Sequence, residues 1–316
     1  WQIAPNLWDA VRVSVDRRNE SGLYILTGSN SIDKTSIMHT GTGRIDTLNM
    51  YPMSLFETGE SNGSISLSAL FRDEKALDDG CQTELSIDEL IFAACRGGWP
   101  SALFKNSDKS KLLVAQSYFE GLCREDISNI DGKTRDETVT TLLLRSYARN
   151  ISTTAANTSI LRDIRANTDI GETTFYEYVA ALKKLFVIQD IEAWCPAIRS
   201  KSSIQSGNKR EFVDPSLVVS ALGVEPDYFN LDLKTFGFIF ETLCIRDLKI
   251  YSNALGGRVS YYRDRYGLEA DCVLHLRDGK YALIEFKLGS SEIEEGAKHL
   301  NEIEKLVEEY NKTEKQ

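Results

Sequence analysis

What this sequence lacks narrows it before any motif is read. No stretch approaches the ~18 consecutive apolar residues of a membrane-spanning helix, so a helical span is excluded. No basic segment followed by an apolar run opens the chain, so no secretory leader is expected. Histidine is scarce: His39, His275 and His299 lie far apart, which argues against a His/Cys zinc centre. The cysteines, Cys81, Cys95, Cys123, Cys195, Cys244 and Cys272, contain no C-x-x-C pair. They read as reduced, buried thiols of a cytoplasmic protein. Proline (6) and glycine (21) show no low-complexity bias. Positive charge is also in deficit, 37 Lys and Arg against 47 Asp and Glu, a net charge of −10. The chain as a whole therefore gains no attraction to nucleic acid, and any such contact needs a local basic face.

What is present is ordinary globular material, 42% apolar and 27% charged over 316 residues. At roughly 150 residues per domain, two or three domains are expected. The first residue is Trp1, and helix-like spacing is already under way there, so the native protein is expected to extend upstream. Leu7, Val11 and Val15 predict a helix over 5–18. Gly22–Ser29 reads as a buried parallel strand, and 44–50 as a second short strand ended by Tyr51-Pro52. Residues 57–92 carry nine acids against two bases and read as solvated helices and loops. Helices are expected near 86–95 and 108–124, around the break Gly97-Gly98-Trp99-Pro100.

Three further helices, 136–149, 158–167 and 172–186, precede a strand at Phe186–Ile188 with Phe212-Val213 as its return partner. That is the outline of a winged helix-turn-helix, with Ser200–Arg210 as the wing tip. Between 145 and 210 there are ten bases against six acids. Thr173, Thr174, Lys183, Lys184 and Lys201 are the candidate DNA contacts. Glu172 and Glu177 on the same helix oppose phosphate, so DNA and a protein partner both stay open. The last hundred residues read as α/β: a helix over 234–248, strands near 258–263, 268–276 and 280–288, and a helix over 291–311.

Gly28–Thr35 imitates a Walker A loop, but Asp33 replaces the second glycine and sets a carboxylate where phosphate would lie. It is rejected, and the chain by itself is not expected to bind ATP tightly. The sharper pattern is Asp271, Glu285 and Lys287. A two-residue turn at Asp278-Gly279 would put their charged groups on opposite faces. A three-residue loop, Arg277-Asp278-Gly279, pairs Leu276 with Lys280, sets Asp271 opposite Glu285, and separates polar from apolar residues. Ala270, Cys272, Leu274, Leu276, Ala282, Ile284 and Phe286 then share the apolar face.

Several segments in order resemble one family: Leu26–Asn30, Gly43–Ile45, Met50–Glu57, Gly97–Pro100, Phe212–Leu217, Gly237–Glu241, Glu269–Asp271 and Ile284–Lys287. The sequence resembles prokaryotic AAA-type ATPases that carry a C-terminal domain of unknown function with a PD-(D/E)XK nuclease-like fold. The resemblance implies a multi-domain α/β chain. Residues 1–58 would be the rear half of the AAA-type ATPase core, 59–130 a helical lid, 131–214 the winged helix-turn-helix, and 215–316 the nuclease-like α/β domain. The family's P-loop and Walker B acids would lie before Trp1. Thr27, Ser29, Asn30 and Arg44 match nucleotide-sensing positions for ATP; an ordinary surface salt bridge is the other reading of Arg44. Asp271, Glu285 and Glu241 would hold Mg2+, and Lys287 would assist phosphodiester hydrolysis. A charged ladder at a strand end, or a nuclease-like fold without cleavage, is the alternative, as is a scaffold acting through protein partners or as a homo-oligomer.

Overall fold

The structure is a computed structural model and describes residues 4, 6–29, 41–72, 82–196, 207–264, 267–289 and 292–314. It is a mixed α/β chain, about 52% helix, with a small three-stranded antiparallel sheet. No helix among the described residues is long and apolar enough to cross a membrane. The helices are α1 (Asn6–Arg18), α2 (Leu67–Phe71), α3 (Ile87–Arg96), α4 (Pro100–Leu103) and α5 (Asp108–Gly121), which runs through a π-helical turn into α6 (Ile127–Asn129). Then come α7 (Glu137–Arg149), α8 (Asn157–Arg165), α9 (Glu172–Lys184), α10 (Pro215–Leu222), α11 (Pro226–Leu231) and α12 (Leu233–Asn253). The sheet is β1 (Arg258–Arg263), β2 (Glu269–His275) and β3 (Tyr281–Ile284), and α13 (Ile293–Glu314) follows it.

Local signals account for several boundaries. Ser86 and Glu89 form a reciprocal capping box at the start of α3, each side chain accepting the other's backbone N–H. α9 stops two residues before its expected end. Phe186 sits in the left-handed region (φ 57°), and the Val187 N–H reaches back to the Leu182 carbonyl at 3.0 Å. This is a Schellman-type stop built without glycine. Phe175, Val179 and Leu182 are buried along one side of α9. After α9 the chain makes antiparallel bridges, Ile188 to Phe212 and Ile191 to Lys209.

The two strands expected over 22–29 and 44–50 do not form. Ile25 is 90% exposed and Met50 87% exposed. A parallel strand exists only through ladder partners, and none lies beside either segment among the described residues. One apolar core instead runs without a break from Ile91 in α3 to Leu243 in α12. It takes in α5 and α7–α10, so the helices read as lid and as winged helix share an interior.

Three distant segments are stitched into this core at Gly98. Its carbonyl accepts the Met53 N–H at 2.7 Å, and its own N–H donates to Asp214 at 2.9 Å. A Cβ at Gly98 would stand 2.1 Å from the Met53 carbonyl oxygen, so only glycine permits this approach. Gly98→Ala is expected to destabilise by about 1–3 kcal/mol. It should also release the Tyr51–Glu57 segment, read as faster proteolytic cleavage there.

In the sheet, Cys272 pairs with Ile284, Leu274 with Ala282 and His275 with Tyr281. Leu276 donates to Lys280 at 2.8 Å, and Gly279 (φ 90°) closes the three-residue loop. The hairpin register is the one expected. The face assignment needs correction on the other edge. Ser260 pairs with Val273 but Tyr262 with Ala270, so Asp271 and Cys272 together stand opposite Tyr261. This bulge reverses the alternation, and Ala270 joins Val273, Ile303 and Val307 in a core under α13 instead of sharing a face with Cys272.

Candidate functional site

The bulge re-aims Asp271. β3 ends at Ile284, and the Asp271 carboxylate continues the ladder in place of backbone by accepting the Phe286 N–H at 2.9 Å. Glu285 and Lys287 lie just past β3 and ion-pair with each other at 2.9 Å. Both lie against Gly296 of α13, where a Cβ would come 3.3 Å from Glu285 Cγ and 3.5 Å from Lys287 Cε.

Between Asp271 and α12 stands Lys209, 1% exposed. Its ammonium lies 2.5 Å from Glu241, 3.8 Å from Glu269 and 3.9 Å from Asp271 Oδ1, and it donates to the Asp271 carbonyl at 3.2 Å. Burial alone would strip its proton, but Glu241 above all, with Asp271 and Glu211, holds it, and the net direction is upward. Burial pushes Glu241 up to about 8, against the pull of Lys209 and with the push of Asp271 and Glu211.

This donor set does not fit Mg2+, which takes six oxygens in near-octahedral array. Glu241 and Asp271 already face a fixed cation, and Glu285 is turned to Lys287. Glu285 Oε2 is buried without a hydrogen-bond partner, yet one oxygen is no coordination sphere. Among the described residues no three His, Cys, Asp or Glu side chains are arranged to hold a metal ion.

The basic face also changes on folding. Lys209 and Arg210, expected on the wing, are buried at 1% and 7% exposure. Arg210 pairs with Asp190 at 3.0 Å, and Lys183 pairs with the same carboxylate at 2.8 Å. Thr173, Thr174 and Lys184 are exposed on α9. Glu172 and Glu177 are exposed on the same helix, Glu177 paired with Lys133 at 2.7 Å. Of the residues expected to sense nucleotide, Thr27 and Ser29 are exposed on irregular chain, not on a strand. Arg44 forms an exposed ion pair, 2.5 Å from Asp16. Asn30, Lys201 and the Asp33 position lie outside the described residues.

Two family profiles match this chain. One, Domain of unknown function (DUF8612), covers residues 87–228; the other, Domain of unknown function (DUF4143), covers 236–315. Domains of the second kind are typically found with AAA-type ATPases. No curated protein and no solved structure matches. The first match covers most of the continuous apolar core, and the second begins at Phe236 in α12 and takes in the sheet and α13.

Sequence reasoning missed Lys209 as a site residue and did not single out Arg246, Asp247, Glu211 or Lys249. Arg246 lies 3.0 Å from Asp214 and 2.8 Å from Asp247, and Asp247 accepts the Leu55 N–H at 2.9 Å. The ordered motifs Met50–Glu57, Gly97–Pro100 and Phe212–Leu217 therefore meet in one buried polar hub. None of the described cysteines forms a disulfide; Cys95, Cys123 and Cys272 are buried, and burial raises those three thiols. A structural role fits them, not a nucleophilic one.

Proposed function

We propose that this chain is the partner-binding portion of an ATP-driven, AAA-type protein, and that its nuclease-like C-terminal unit binds without cleaving. The observation that carries this is Lys209, whose ammonium stands among the carboxylates where phosphodiester hydrolysis would need a divalent ion. The link to an ATPase rests on the ordered motifs and on the company DUF4143 domains keep. The helices α7–α9 and the bridges that follow them support a winged helix-turn-helix reading. Its partner on this reading is a protein. Lys183 is paired with Asp190, and Glu172 stands exposed at the start of α9, which disfavours phosphate there.

The test is a nicking assay on supercoiled plasmid with Mg2+ or Mn2+, comparing the chain with Lys287→Met. No nicking above the variant's background is expected, and a DNA column should not retain the chain at moderate salt. Divalent-dependent nicking that Lys287→Met abolishes would overturn the reading.

A further inference from the structure

The sheet has two edges, and the fold treats them differently. On the β1 edge the chain 192–194 adds itself in parallel: the Tyr261 N–H donates to the Glu192 carbonyl at 3.2 Å, and the Trp194 N–H to the Tyr261 carbonyl at 2.6 Å. β3 forms the other edge. Its hydrogen-bonding direction follows from the hairpin. Leu276 donates to the Lys280 carbonyl, so Lys280 faces β2, and antiparallel alternation turns Ala282 and Ile284 the same way. Phe286, whose N–H donates to Asp271, keeps the same phase. The N–H and C=O groups of Tyr281, Leu283 and Glu285 therefore point away from the sheet. Among the described residues no hydrogen bond reaches them.

The chemistry of this edge is that of an interior strand. Tyr281-Ala282-Leu283-Ile284 is a continuous apolar run, the pattern of a strand covered on both faces. All four residues are nevertheless only half-buried, while most of β2 is buried. The devices that blunt a natural edge are missing here: β3 has no proline, no charged residue and no bulge against β2. The flanking Glu285 and Lys287 are paired with each other at 2.9 Å and together add no net charge.

We propose that β3 is the pairing edge for a second copy of this chain, which adds its own β3 antiparallel about a two-fold axis to make one continuous sheet. The edge is self-complementary. With Leu283 on the axis, Tyr281 stands opposite Glu285 of the second copy, Ala282 opposite Ile284, and Leu283 opposite Leu283. Outward backbone groups then meet outward backbone groups, apolar side chains meet apolar ones, and no like charges are opposed. An unrelated extended peptide offers the backbone groups without this side-chain match. The arrangement closes after two copies, since it uses each open edge once. It stands whether or not the chain works with an ATPase.

The experiment is sedimentation velocity of the whole chain from the low to the high micromolar range, with residue-resolved hydrogen exchange at both ends of that range. A reversible monomer–dimer equilibrium is expected. In the dimer the Tyr281, Leu283 and Glu285 amides should exchange about 10-fold slower or more than in the monomer, while those of Ala282 and Ile284, bonded to β2, are protected in both. Leu283→Pro should abolish the dimer. The N–H it removes points outward, so the β2–β3 ladder keeps its hydrogen bonds and the circular dichroism should match the parent. A chain that stays monomeric would overturn the proposal, as would a dimer whose three edge amides exchange as fast as in the monomer. Both readouts use the unaltered chain and decide the matter even if the proline variant misfolds. A folded Leu283→Pro variant that still dimerises would overturn it too. If the chain is monomeric and only an added alternating Val-Thr peptide protects the three amides, the occupant is a partner's strand and not a second copy.

Discussion

Asp214→Ala should destabilise the fold by about 3–5 kcal/mol, the range for breaking a buried ion pair from one side. The carboxylate is fully buried. One oxygen takes the Arg246 guanidinium at 3.0 Å and the Gly98 N–H at 2.9 Å; the other takes the Ser216 N–H at 3.0 Å and the Ser216 hydroxyl at 2.6 Å. Ser216 in turn accepts the Trp99 indole N–H at 2.8 Å. Truncation leaves the buried Arg246 with Asp247 alone as its carboxylate partner, and strands two backbone donors that have lost their water. Asp214→Asn keeps an acceptor and should lose less. Urea unfolding followed by circular dichroism measures both variants. A loss under 1 kcal/mol for the alanine variant would show that the hub is held by apolar packing and not by its charges.

Glu211→Gln should do the reverse and stabilise the protein above neutral pH. Glu211 is fully buried; Ser152 donates to one oxygen at 3.0 Å, and the other oxygen has no hydrogen-bond partner. Burial pushes its carboxyl up to about 7, and the attraction of Lys209 and Lys249 only partly offsets this. The sign follows from linkage. Between the ordinary carboxylate value of about 4.3 and about 7, the unfolded chain gives up this proton while the folded chain keeps it. The contribution of Glu211 to stability therefore falls as pH rises through that window and stays low above it. A shift of this size amounts to about 4 kcal/mol at most. At pH 8 the glutamine variant should be the more stable by up to about that amount, and at pH 4 the two should converge. Other buried acids titrate in both proteins, so the difference between the two stability–pH curves isolates Glu211. Parallel curves would show that this carboxyl is not held protonated.

Much of the local structure was legible because its causes are local. The helices α3, α5 and α7–α9 follow from apolar spacing and from end signals such as Ser86 with Glu89, and each lies within a few residues of its expected bounds. The hairpin register was readable from one loop, since a slip by one residue would have turned Asp271 and Glu285 to the wrong side. The strands at 22–29 and 44–50 failed for the opposite reason. An apolar run is compatible with a strand, but pairing belongs to the neighbour, and no neighbour is present among the described residues.

The sequence by itself determined the helical segments, the three-residue hairpin loop, the lack of an apolar run of membrane-spanning length and the order of the motifs. Only the tertiary structure decided what the charged residues do. Lys209 and Arg210 read as surface bases, because nothing within a few residues of them says otherwise. Lys209 is buried by Glu241, 32 positions away, and Asp271, 62 away; Arg210 is paired with Asp190, 20 away. A buried ion is tolerated only where the fold brings its counter-charge alongside. That pairing is fixed by the crossing of α12, the chain around Lys209 and β2, not by any spacing along the chain.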